Sequence, residues 1–71
     1  MKIYISFGQS HVHRVNGKTF DKDVLCEIEC SDYATGRGLA WNAFGDKFGT
    51  SYSEEQLPKI IHHFPRGVLP L

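Results

Sequence analysis

Apolar and polar side chains alternate through Lys2–Phe7, with Ile3, Ile5 and Phe7 on one side and Tyr4 and Ser6 on the other. A period of two is what a strand with one buried face requires. The alternation returns at Val24–Cys30, where Val24, Cys26, Ile28 and Cys30 share a side and Leu25, Glu27 and Glu29 oppose it. A sheet covered on one side is the economical reading. Between the two strands lies Asn16-Gly17, the pair that best tolerates the positive φ needed at both central residues of a two-residue type I′ turn. That turn pairs Val15 with Lys18. The same register carried outward sets His13 opposite Phe20, His11 opposite Lys22, Gln9 opposite Val24, Phe7 opposite Cys26, Ile5 opposite Ile28 and Ile3 opposite Cys30.

The next segment supplies a cover for the apolar side. Ser31 and Asp32 are good N-cap residues, and Tyr33, Ala40, Ala43, Phe44 and Phe48, with Trp41 at the edge, recur at roughly helical spacing. Gly45-Asp46 ends this helix. Gly36 and Gly38 each weaken it by about 1 kcal/mol relative to alanine. Close approach of helix and sheet would explain them; alternatively, Gly36-Arg37-Gly38 offers backbone amides and a guanidinium to an anion. Phe48–Tyr52 can return as a third strand beside the hairpin, and Arg66–Leu71 can add an edge strand. Ser53 followed by Glu54, Glu55 and Gln56 resembles a capping box. Pro58 would cost that helix a backbone bond, so Ser53–His63 is either one helix or a turn with a new start at Pro58.

The pattern therefore predicts one α+β domain, residues 1–71, in which a long antiparallel β-hairpin plus one or two short strands packs on one main helix, Asp32–Phe44. Its core should hold Ile3, Ile5, Phe7, Cys26, Ile28, Ala40, Phe44, Phe48 and Ile61. A chain of 71 residues buries a modest share of its surface, so homo-oligomerisation is expected, with Trp41 and the hairpin edge as its contact.

Charge narrows the partners. Eight basic and eight acidic side chains cancel, which argues against broad binding to nucleic acid or an anionic membrane. No apolar run approaches spanning length, and the chain enters its first strand without a charged and apolar leader, so a cytoplasmic location is expected. Cys26 and Cys30 share a strand face about 13 Å apart, too far for a disulfide. They read as two core thiols.

His11 and His13 lie on one strand face about 7 Å apart, a spacing that zinc sites on sheets use. Two ligands fall short of the three or four that zinc takes, Asp21 and Asp23 face the other way, and only a folded-over His62 or His63 could add another. Asp21, Asp23, Glu27 and Glu29 form an acidic row that a divalent ion could occupy, although such a row is commonly a solvated face. A nucleophilic enzyme would need a serine, cysteine or threonine beside an oriented base. The cysteines look buried and the serines lie on turns or caps. Binding is the stronger class, without a cofactor. His11, His13, Lys18, Phe20 and Lys22 share one face of the hairpin tip, beyond the reach of the helix. Cations, imidazoles and an aromatic ring suit a phosphate-bearing small ligand or a protein partner. Arg14, Arg37 and Arg66 are further anion-binding candidates.

The run Phe7-Gly-Gln-x-His-x-His-x-Val-Asn-Gly-Lys-Thr-Phe-Asp-Lys-Asp23, with Phe44-Gly-Asp-Lys-Phe48 and Phe64-Pro-Arg-Gly-Val68, resembles small accessory reading frames of bacteriophages. The resemblance covers most of the chain and carries no assigned site. It implies a non-enzymatic viral binding protein in the bacterial host cytoplasm, one that inhibits a host protein or antagonises host defence. Sequestration of a phosphate-bearing ligand such as a signalling nucleotide is the first alternative. A metal-binding or metal-dependent hydrolytic protein using His11 and His13 is the second.

Overall fold

The turn at Asn16-Gly17 forms as its residues require, with φ of 53° and 76°. In the computed structural model, which describes residues 1–71, it joins β2 (His13–Val15) to β3 (Lys18–Phe20), pairing Val15 with Lys18, Arg14 with Thr19 and His13 with Phe20. The alternating strands β1 (Lys2–Ile5) and β4 (Val24–Glu29) are also antiparallel neighbours. Their register, however, is not the one projected from the turn. Ile3 pairs with Ile28 and Ile5 with Cys26, two residues away from the projected Ile3 with Cys30 and Ile5 with Ile28.

The cause is a length mismatch between the two arms. Ser6–Val12 holds two more residues than Asp21–Leu25, the arm opposite, and the excess is taken up in the turn at Gly8, φ 64°. An odd slip would have turned every side chain over, whereas an even one keeps each on its original face. The hairpin therefore survives as two sections in separate sheets. Where β1 leaves β4, Ser6 turns to the chain returning on its other side. Its N–H donates to Thr50 O at 2.8 Å, its carbonyl accepts from Gly49 N–H at 2.7 Å, and its hydroxyl accepts from Thr50 N–H at 3.0 Å.

Beyond that junction β5 (Ser51–Ser53) pairs antiparallel with β1, and β6 (Gly67–Pro70) pairs parallel with β4, giving the sheet order β5-β1-β4-β6. β6 lies within the expected Arg66–Leu71 edge strand, whereas β5 shares only Ser51 and Tyr52 with the expected Phe48–Tyr52 strand, because Phe48 packs against the core before pairing begins. Helix α1 (Tyr33–Phe44) starts at Asp32, whose carboxylate accepts the Thr35 N–H at 2.8 Å, and stops at Gly45, φ 65°. That hydrogen bond also holds the Asp32 carboxyl below the ordinary aspartate range. The helix lays Gly36, Ala40 and Phe44 on the sheet. At Gly36 a β-carbon would stand 2.7 Å from Ile3 Cδ1 and 2.8 Å from Cys30 Sγ, so close approach accounts for this glycine.

The helix covers only part of its face of the sheet. The rest is closed by the hairpin, which folds back beside α1: Phe20 and Val15 join Val24, Cys26, Leu69 and Leu71 in the core. Lys18 Nζ reaches Pro70 O at 2.7 Å. The tip is thus a cover for the β4–β6 half of the sheet, where the alternation alone suggested a free end. Seven of the expected core residues, Ile3, Ile5, Phe7, Cys26, Ile28, Ala40 and Phe44, are buried there, and Phe48 packs at the margin. Burial pushes the Cys26 thiol up to about 12, and neither cysteine is in a disulfide.

The opposite face is covered too, contrary to the one-sided sheet that the acidic side chains of β4 suggested. Tyr4 and Leu25 point to that side and keep 5 % and 0 % of their surface. The chain must cross from the β5 edge to the β6 edge, and residues 54–66 make that crossing over this second face. Ile61 is half-buried within the crossing and stands apart from the main core cluster. The crossing is broken as Pro58 demands: a turn, then α2 (Leu57–Ile60) with Pro58 in its first turn, then a 3₁₀ turn over Ile61–His63. Gln56 Oε1 accepts the Ser53 N–H at 2.9 Å, the returning half of a capping box. No helix is long and apolar enough to cross a membrane.

Gly36→Ala tests the close approach of α1. Overpacking against Ile3 and Cys30 should outweigh the gain in helix propensity, for a net loss of about 1–2 kcal/mol in urea unfolding.

Candidate functional site

Alternation divides the hairpin into two faces. His13, Val15, Lys18 and Phe20 take one, and Arg14 and Thr19 take the other. Phe20 decides which turns inward, because burying a phenylalanine is worth about 2–3 kcal/mol. It is wholly buried, its ring 5.5 Å from Phe44 in edge-to-face geometry and 5.6 Å from Phe7. His13 follows it in, with its ring centroid 5.0 Å from Phe44 and 5.8 Å from Phe7. Its Nε2–H donates to Lys47 O at 2.6 Å.

The face expected to meet a ligand is therefore largely the face that glues the hairpin down. Phe20 has no surface to offer. His13 is half-buried and hydrogen-bonded, and Lys18 is spent on Pro70 O. Lys22 lies against Asp23 at 3.2 Å, and Arg66, a further anion candidate, pairs with Asp21 at 3.1 Å. His11 is half-buried. Arg14 and Arg37 are exposed and in no ion pair, Arg14 on the outer face of the hairpin and Arg37 on α1. The structure does not gather the seven candidates His11, His13, Arg14, Lys18, Phe20, Lys22 and Arg37 into one surface.

What it does present is Val12. This residue is 66 % exposed, more than any other large apolar side chain of the protein, and it precedes Arg14 by two residues, just before β2 begins. Its signal was in the sequence: with His13 and Phe20 inward, Val12 is an apolar residue at an outward position. The hairpin that carries Arg14 is fixed from within by the Phe7–His13–Phe20–Phe44 cluster.

The chemistry of the remaining polar groups is mostly internal. Asp21 Oδ1 accepts the Asp23 N–H at 3.0 Å, and this bond, with the Arg66 guanidinium beside it, holds the Asp21 carboxyl below the ordinary aspartate range. Glu27 pairs with Lys2 at 3.1 Å. The acidic row is thus neutralised member by member except for Glu29. No group of three or more His, Cys, Asp or Glu side chains converges, and the His11/His13 spacing does not assemble a metal centre. His62 and His63 stack on each other with centroids 4.0 Å apart in the exposed 3₁₀ turn. A pocket of about 300 Å³ opens between α1 and the β4–β6 edge, lined by Glu27, Ile28, Glu29, Leu39, Pro70 and Leu71.

The chain matches no protein-family model, no curated protein and no solved structure.

Two measurements check these assignments. His13→Ala should cost about 2 kcal/mol in chemical unfolding, from lost ring packing and one hydrogen bond, whereas Arg14→Ala should cost less than about 0.5 kcal/mol. The lowered carboxyls at Asp21 and Asp32 stabilise the fold while ionised, so their contribution is full above the ordinary aspartate range and fades as pH falls through their lowered folded values. Thermal melts should therefore weaken toward strong acid, and Asp21→Asn should flatten that decline.

Proposed function

We propose that the chain is a small non-enzymatic binding protein that engages a host or defence component through the outer face of its hairpin, in keeping with its resemblance to phage accessory reading frames. The observation that carries this reading is the exposure of Val12, 66 % in water, beside an unpaired Arg14. An apolar side chain flanked by a guanidinium suits a protein surface with a shallow apolar recess next to a carboxylate. Rigidity supports the same reading: a hairpin anchored by four rings has little conformational freedom to lose on association, so more of the contact energy appears as affinity. The zero net charge favours such a local contact over one driven by a broad field.

Affinity capture from bacterial extract tests it. The doubly substituted Val12→Asp, Arg14→Glu chain should lose the specific partner that the parent retains, while its melting temperature moves by no more than about 3 °C. Retention of the same partner by the variant would remove the outer hairpin face as the contact.

A further inference from the structure

Asn16-Gly17 is the only Asn-Gly pair in the chain, and the hairpin holds it clear of the rest of the molecule. Both residues are exposed, and Asn16 is the one non-glycine residue with a positive φ, 53°. The ladder ends at the Val15–Lys18 pair, so the two residues lie beyond its last rung and outside the ring cluster that anchors β3. The Asn16 carboxamide is hydrogen-bonded to no other group of the protein, and the Gly17 N–H donates to no acceptor. A β-carbon at Gly17 would meet nothing within 4 Å, so no neighbouring group crowds the residue whose nitrogen follows that carboxamide.

We propose that Asn16 is a site of spontaneous covalent modification, converting to aspartate and isoaspartate, and that the isoaspartate form releases the hairpin from the core. The Gly17 nitrogen gives its proton to hydroxide and attacks Asn16 Cγ. The N–Cγ bond forms, water returns a proton to Nδ2, the Cγ–Nδ2 bond breaks and ammonia leaves a five-membered imide. Water then opens that ring at one of its two carbonyls. Opening at Cγ gives aspartate in an ordinary chain, whereas opening at the Asn16 main-chain carbonyl gives isoaspartate, whose chain runs through Cβ and Cγ. The balance is one water consumed and one ammonia released. The turn sets the pace, because its backbone at Asn16 places Gly17 N on the far side of Cα from Cβ. Ring closure therefore waits on a local opening of the tip, which leaves the His13–Phe20 rung in place. The two products act differently on the fold. Asp-Gly suits a type I′ turn as Asn-Gly does, so aspartate keeps the register. Isoaspartate adds a main-chain atom between Val15 and Lys18, and a two-residue turn no longer joins them. Val15 packs against the core and Lys18 Nζ holds Pro70 O, so losing that rung loosens the cover over the β4–β6 half of the sheet. The chemistry needs no partner and stands independently of the proposed function.

Ageing the full chain in warm, mildly alkaline buffer tests this. Trypsin cuts after Arg14 and Lys18, so the site leaves in the short peptide Val15–Lys18. That peptide should gain one mass unit with time, faster as the pH is raised, and isoaspartate-specific enzymatic methylation should label part of it. Asn16→Gly keeps a turn-forming Gly-Gly pair without the carboxamide and should show neither change. The recombinant Asn16→Asp chain reproduces the aspartate product and should melt within about 2 °C of the parent, whereas the isoaspartate fraction resolved chromatographically from the aged protein should melt about 5–10 °C lower. A Val15–Lys18 peptide of unchanged mass from the folded chain, under a treatment that converts the urea-unfolded chain, overturns the modification site. An isoaspartate form that melts with the parent overturns the release of the hairpin.

Discussion

Phe20 against Phe44 is the contact on which the rest of the molecule depends. A four-stranded sheet is about 14 Å wide between its outer strands, and one helix with its side chains is about 10–12 Å across, so α1 cannot roof the whole apolar face alone. The hairpin closes the remainder. It does so because Phe20 is drawn into the same ring cluster as Phe7, His13 and Phe44. That single commitment fixes which hairpin face is outside, leaves Arg14 in water, brings Lys18 to Pro70, and lets Leu69 and Leu71 on the last strand share the core.

Polar groups are placed to serve this packing. The buried Ser6 hydroxyl is satisfied by the backbone of Thr50, Lys2 and Arg66 each neutralise a carboxylate, and His13 meets Lys47 O at the margin of the aromatic cluster. No buried side-chain nitrogen or oxygen is left without a partner. In a chain this short an unpaired buried group would cost a sizeable part of the total stability. Side chains that looked chemically suggestive as a cluster therefore have structural duties one by one.

Much of the architecture was legible in the residues because each signal was local. Asn16-Gly17 specified its turn, Asp32 and Gly45 bounded the helix, and Gly36 marked the close approach to Ile3. The unread parts are those set at long range. Period-two alternation shows that His13 and Phe20 share a face without saying whether that face looks in or out; the answer lies with Phe44, more than twenty residues along the chain. Leu25 and Tyr4 looked like the solvent side because Glu27 and Glu29 share their parity, and only the crossing of residues 54–66 from one sheet edge to the other covers them. The candidate site was least legible because its chemistry was inferred from the face that became interior. Val12 lies among polar residues just ahead of β2, where no apolar periodicity marks it.

The two-residue excess in Ser6–Val12 bears on how this fold can change over generations. That excess lies in the turn at Gly8, outside both ladders, so a residue gained or lost there leaves Phe20 facing inward, held through β3 and its short link to β4. This arm can therefore change in length by single residues, whereas the same change within β3 or β4 would exchange buried and exposed faces. Variation in length is confined to one side of the hairpin, and the other side keeps the count.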